Sequence, residues 1–129
     1  MENKDKYGRS FLFDLIVEGN LIKVEKYLKI ANEINLKDKN GKTPLHLACI
    51  HSMYEITKFL ISKNADLNIK DNNGNTPLFD AVFNSNGDVK IITILVENGA
   101  NPLLENNYGI SPLKLSKTIS NFDVSFLFN

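Results

Sequence analysis

Apolar residues fall along this chain in short clusters whose members stand three and four apart, the spacing that lines up side chains on one face of a helix. Leu45, Ala48 and Cys49 make one such cluster; Ser52 breaks the run, and Ile56, Phe59 and Leu60 make a second. Ile91, Ile94 and Leu95 repeat the second cluster later in the chain. The polar residues between clusters act as punctuation. Thr43-Pro44, Thr76-Pro77 and Ser111-Pro112 each set a capping hydroxyl before a proline that fits the first helical position, so each pair opens a helix. Asn64-Ala65-Asp66 and Gly99-Ala100-Asn101 close helices, because Asn and Gly tolerate the left-handed conformation that ends them. Asp, Asn and Gly ahead of each opening pair supply a turn. The pattern predicts a unit of one turn followed by two short antiparallel helices.

The glycines show that this unit recurs. Gly8, Gly41 and Gly74 are 33 residues apart and Gly109 follows 35 later, each three residues after Asp5, Asp38, Asp71 or Asn106. In that register Leu12, Leu45, Leu78 and Leu113 share one column. Gly19 and Gly87 share an inner position that Ser52 and Ser120 take in the other units, and Gly99 falls later in its own.

A 33-residue period carrying D-x-x-G-x-T-P-L-H-x-A and a later G-A-D-x-N resembles the ankyrin repeat. Residues 38–70 match it almost from end to end. Residues 71–105 match with Phe79 in the His column and two extra residues near Ser85 and Asn86, which lengthen the turn between the helices. Residues 5–37 keep Gly8, Leu12, EGNLIKVEKYL and EIN but lose the Thr-Pro, and 106–129 keep Gly109 and SPL and stop inside the second helix. These outer units read as caps, since a terminal repeat has one face without a neighbour. The resemblance implies an all-α ankyrin-repeat α-solenoid: four helix-turn-helix repeats joined by β-turn finger loops, filling residues 1–129 as a single domain.

For function, the resemblance implies a module without an active site that binds another protein on its concave side, through the finger tips and first helices, as adaptor, scaffold or inhibitor. An immunity protein or antitoxin that covers the site of a toxin or enzyme is a narrower version, and a self-associating structural module is the rival class. Positions not fixed by turn geometry or packing are the ones free to contact a partner. In the fingers these are Lys6, Tyr7, Arg9, Lys37, Lys39, Asn40, Lys42, Lys70, Asn72, Asn73, Asn75, Glu105, Asn107, Tyr108 and Ile110. Along the first helices they are Val17, Glu18, Ile50, His51, Phe83 and Asn84. The expected partner-binding set is Lys37, Lys39, Asn40, Lys42, Ile50, His51, Lys70, Asn72, Asn73, Asn75, Phe83, Asn84, Asn107 and Tyr108.

Six cations, Lys6, Arg9, Lys37, Lys39, Lys42 and Lys70, fall on the first three fingers and predict a basic ridge suited to an acidic partner, although charges on exposed turns are usually only solvated. Phe83 with Ile50 and Tyr108 is a candidate apolar hot spot. Phe79 is expected to be buried between repeats. Phe122 and Phe126 are expected to pack on the third repeat, and the end around Phe126 and Phe128 offers a self-association surface in an otherwise monomeric chain.

Composition narrows the remaining choices. The chain has 129 residues, 15 Lys plus Arg against 15 Asp plus Glu, 43% apolar content and one cysteine. A single cysteine excludes an internal disulfide and a thiolate metal cage. No run approaches the length of a membrane span, and the start lacks the apolar stretch of a signal peptide, so a cytoplasmic protein without membrane contact is expected. Zero net charge with a single Arg argues against nucleic acid. The histidines His46 and His51 stand five apart, roughly 140° around a helix, so they do not share a metal. The resemblance gives His46 a structural task, bracing the turn with Thr43. Cys49 sits in a packed face, and every glycine is a repeat marker, which leaves no phosphate loop. No catalytic, cofactor or metal residue is expected.

Overall fold

In the computed structural model, residues 11–118 are described. The expectations for Lys6, Tyr7, Gly8, Arg9, Ser120, Phe122, Phe126 and Phe128 lie outside them.

Local rules in the sequence set the helix starts. Thr43 and Thr76 are extended (ψ 170° and 166°), and their hydroxyls accept from the backbone N–H of His46 and Phe79, with a proline in the first helical turn after each. Ser111 accepts from the Lys114 amide in the same way. These caps begin α3 (Pro44–Ile50), α5 (Pro77–Phe83) and α7 (Pro112–Thr118). Each has a partner or a counterpart: α1 (Phe11–Val17) with α2 (Leu21–Ile30), α3 with α4 (Tyr54–Ser62), and α5 with α6 (Lys90–Glu97). No strand occurs among the described residues.

The helix ends follow the expected rule twice and break it once. Asn64 after α4 and Gly99 after α6 have φ of 64° and 106°. Ala31, at the same place after α2, is extended at φ −119°, because its Cβ disfavours the left-handed turn. The two-residue insertion also appears. Residues 51–53 join α3 to α4, whereas 84–89 join α5 to α6. There the Asp88 N–H bonds the Ser85 carbonyl at 2.8 Å across Asn86 and Gly87, both at positive φ, the backbone that Asn-Gly favours.

The hairpins stack in two rows. The inner row runs α1, α3, α5, α7, and the outer row runs α2, α4, α6, with each helix touching its neighbours in the row. Between the rows lies a continuous apolar core in which Leu12, Leu45 and Leu78 are fully buried, while Leu113 in the last helix is half-buried. In the outer row Val24, Thr57 and Ile92 share a fully buried column. The Thr57 hydroxyl is buried there with no nitrogen or oxygen partner, and the polar group beside it is the weakly bonding Cys49 thiol.

Candidate partner-binding surface

Each of the three described fingers is built on one side-chain oxygen. Asp38 Oδ1 accepts from the amides of Asn40 (2.8 Å) and Lys42 (2.9 Å). Asp71 Oδ1 does the same for Asn73 and Asn75 at 2.9 Å. Asn106 Oδ1 serves Tyr108 (2.9 Å) and Ile110 (3.0 Å), so an amide oxygen replaces the carboxylate in the last finger. Successive fingers are then tied together. Asn72 donates its backbone N–H to Asn40 O (2.9 Å) and its Nδ2 to Lys39 O (2.8 Å). Asn107 repeats this on Asn73 O and Asn72 O, both at 2.9 Å.

These ties engage several of the positions expected to be unconstrained. Asn72 and Asn107 are exposed, yet their side chains staple fingers to one another. Asn75 offers its carbonyl to His46 Nε2 (2.8 Å) and its Oδ1 to Asn106 Nδ2 (2.9 Å). Asn84 donates Nδ2 to Asp80 O at 2.8 Å, a bond back onto its own helix. Lys70 is exposed and reaches Glu105 O at 2.8 Å.

Lys42 departs furthest from expectation. Its Nζ lies 2.6 Å from Asp71 Oδ2 and 3.4 Å from Asp80 Oδ2, so it joins the second finger to the third and to α5 rather than facing a partner. Both carboxylates are almost completely buried, with side-chain exposures of 1% and 9%. A sequence signal for the pair exists: Asp80 stands in the column that Leu47 and Leu115 fill, and a buried acid there needs a cation nearby.

The same cluster fixes its protonation states. Burial pushes Asp80 up to about 6, helped by the Asp71 charge and only partly opposed by Lys42. Asp71 is held below the usual carboxylate range, since Lys42 and two backbone N–H groups outweigh its burial. Lys42 lies above its ordinary value because the two acids outweigh its burial. His46 is fully buried and pushed down to about 4 by desolvation, with Lys42 adding to the effect. Its Nδ1 accepts the Thr43 N–H at 3.1 Å and its Nε2 faces Asn75 O, which assigns the neutral Nε2–H tautomer. Burial pushes the Cys49 thiol far above its usual value.

The ligand atoms of His46, Asp71 and Asp80 lie within 4.8 Å of one another, the spacing of a metal site. The donors do not fit one. Both imidazole nitrogens are engaged, and the Lys42 ammonium already holds the carboxylates. The cluster is a polar clamp between repeats.

What remains outward-facing is an apolar column. Val17, Ile50 and Phe83 stand 33 residues apart, each the last residue of its inner helix and four residues after Phe13, His46 or Phe79. Phe83 is 67% exposed, Val17 38%, and Ile50 half-buried. Phe79 is half-buried rather than fully buried. His51 is exposed beside the column, Tyr108 is exposed on the last finger, and Lys37, Lys39, Asn40 and Asn73 are exposed on the others. No helix among the described residues is long and apolar enough to cross a membrane.

Comparison with known proteins agrees with this architecture. A family model for ankyrin repeats, in three copies, matches residues 3–106. An ankyrin repeat protein of Acanthamoeba polyphaga mimivirus is 33% identical over 89 residues, which cover 67% of this chain and 11% of that protein. Protein phosphatase 1 regulatory subunit 27 of Mus musculus is 37% identical over 59 residues, 46% of this chain and 38% of that protein. An ankyrin repeat protein of fowlpox virus is 40% identical over 58 residues, 44% of this chain and 14% of that protein. The aligned stretch is thus well under half of each relative's length. With its period, its stacked hairpins and a family match over most of its length, the chain belongs to the ankyrin-repeat family.

Proposed function

We propose that this chain is a non-enzymatic binding module that holds a protein partner against its finger tips and inner helices, with its four units acting as one surface. The observation that carries this reading is the column Val17, Ile50 and Phe83. Three apolar side chains stand in register; Ile50 packs against the core, but Val17 and the two-thirds exposed Phe83 at the end of the column do little for it that smaller polar residues would not do as well. Exposed aromatics of this kind are the usual anchors of protein interfaces. Ankyrin repeats generally mediate protein–protein contacts, and one relative is by name a regulatory subunit of a phosphatase.

The mechanism is occupancy. His46, Asp71, Asp80 and Cys49 are engaged in packing or in the clamp, so the surface binds through shape, apolar contact and charge. The preferred partner carries an apolar anchor for Phe83 and acidic residues for Lys37, Lys39 and Lys70, which are exposed on the fingers, whereas Lys42 belongs to the clamp.

Affinity capture with the purified chain tests this. Phe83→Asp should abolish capture without changing the melting temperature, because Phe83 packs little. Reversing Lys37, Lys39 and Lys70 to Glu should slow association and weaken its salt dependence, since raising salt from about 50 to 500 mM shortens the Debye length to about 4 Å. Capture that is indifferent to Phe83→Asp would move the interface away from the inner helices.

A further inference from the structure

The chain contains four Asn-Gly pairs: Asn40-Gly41, Asn73-Gly74, Asn86-Gly87 and Asn98-Gly99. This dipeptide carries its own chemistry. The backbone nitrogen of the glycine, once it gives its proton to solvent, attacks the asparagine Cγ and forms a new C–N bond that closes a five-membered succinimide. The side-chain nitrogen leaves as ammonia. Water then adds to one of the two imide carbonyls, and the ring opens to aspartate or isoaspartate. Glycine favours the reaction because it lacks a side chain to obstruct the attack. A folded chain restrains it wherever the glycine N–H or the asparagine is held by hydrogen bonds that must open first.

Three of the four pairs are held. Gly41 N–H bonds Asp38 O at 3.0 Å and Gly74 N–H bonds Asp71 O at 2.9 Å, and both glycines are buried under the next finger. The carbonyls of Asn40 and Asn73 also accept from Asn72 and Asn107, so the peptide group joining each Asn to its Gly is held at both its N–H and its C=O. In the third pair Gly99 N–H bonds Val96 O at 3.1 Å, and Asn98 Nδ2 bonds Ile94 O at 2.8 Å. The fourth is different. Asn86 and Gly87 are both exposed, neither makes a hydrogen bond to another described residue, and their turn is closed only by the Asp88–Ser85 bond. They occupy the lengthened connection between α5 and α6, which the shorter hairpin of α3 and α4 lacks.

We propose that Asn86-Gly87 is a self-modifying site, the position at which the native chain converts asparagine to isoaspartate and aspartate well ahead of its other Asn-Gly pairs. Water is the co-reactant and ammonia the leaving group. The product places a negative charge, and in the isoaspartate an extra main-chain methylene, in the turn that follows Phe83 and Asn84. The chemistry does not depend on what that surface binds.

Peptide mapping by mass spectrometry over time tests it on the full chain, held folded in mildly alkaline buffer, with a urea-unfolded sample alongside. Asn86 should convert first, with isoaspartate the main product, and the other three should lag by about tenfold or more while folded. The unfolded sample should convert at all four with similar rates. Asn72→Ala, which removes the side-chain staple on the second finger, should speed conversion at Asn40 and leave Asn86 unchanged. Equal rates at the four folded sites, a finger site converting first, or an inert Asn86 beside a reactive unfolded control would each overturn the proposal.

Discussion

Asp80 and His46 sit in one buried cluster and pull the pH dependence of stability in opposite directions. His46 titrates at about 4 in the folded chain against an ordinary 6.5, so between those values the unfolded chain binds more protons and stability rises with pH. Asp80 titrates at about 6 against 3.8, so across that window the folded chain binds more protons and stability falls as pH rises. The two slopes nearly cancel, and urea midpoints of the native chain should change little between pH 4 and 6. Asp80→Asn removes one slope, and the midpoint should then rise with pH by an amount on the order of 1.4 kcal/mol per unit of the remaining shift. An unchanged profile would mean that the clamp does not hold Asp80 as described. Lys42 belongs to the same scale. Lys42→Ala leaves two buried carboxylates without their cation and should cost about 2 to 4 kcal/mol in chemical unfolding. Asn73→Ala, on the exposed tip of the next finger, should cost less than about 0.5 kcal/mol.

Fingers and helices respond as elements. Gly74 and Gly109 have the same left-handed backbone, with φ of 80° and 74°, but different surroundings. A Cβ on Gly74 would lie 2.7 Å from the Asn107 backbone nitrogen, whereas one on Gly109 would meet nothing within 4 Å. Gly109→Ala should therefore show only the conformational cost, about 1 to 2 kcal/mol. Gly74→Ala should exceed it, because the next finger must move as well; equal losses in thermal unfolding would show that the fingers are not tied together. In the outer row, α4 carries an error of the opposite kind. Thr57→Val replaces a buried hydroxyl whose one polar neighbour is the Cys49 thiol by an isosteric methyl, in a column that Val24 and Ile92 already fill. Its denaturant midpoint should rise, corresponding to about 1 kcal/mol of added stability.

On the scale of the whole molecule, the main helix contacts among the described residues run within a hairpin or between neighbouring hairpins, so the interior layers matter most. Leu78 lies fully buried in α5, whose neighbours on both sides are helices of the inner row. Leu78→Ala should cost about 2 to 5 kcal/mol and lower the calorimetric transition of the whole stack. Much of this architecture was legible beforehand, for a physical reason. Thr43-Pro44, Thr76-Pro77, Gly99 and the Asp-x-x-Gly turns each act on backbone within a few residues of themselves, and the 33-residue spacing multiplied every local signal. The surface was less legible. Asn72 and Asn107 looked free because their partners lie on the preceding finger, 33 and 35 residues away, and Lys42 looked like a ligand-facing cation because its acids lie 29 and 38 residues further on.

By itself the sequence determined the repeat, its turns, its caps and the order of its helices, because these depend on short-range sterics and hydrogen bonding that each segment carries wherever it is placed. Only the tertiary structure decided which side chains stay outward-facing. Stacking sets residues about one period apart in contact, and it is there that a lysine becomes a clamp, an asparagine becomes a staple, and Phe83 is left facing solvent.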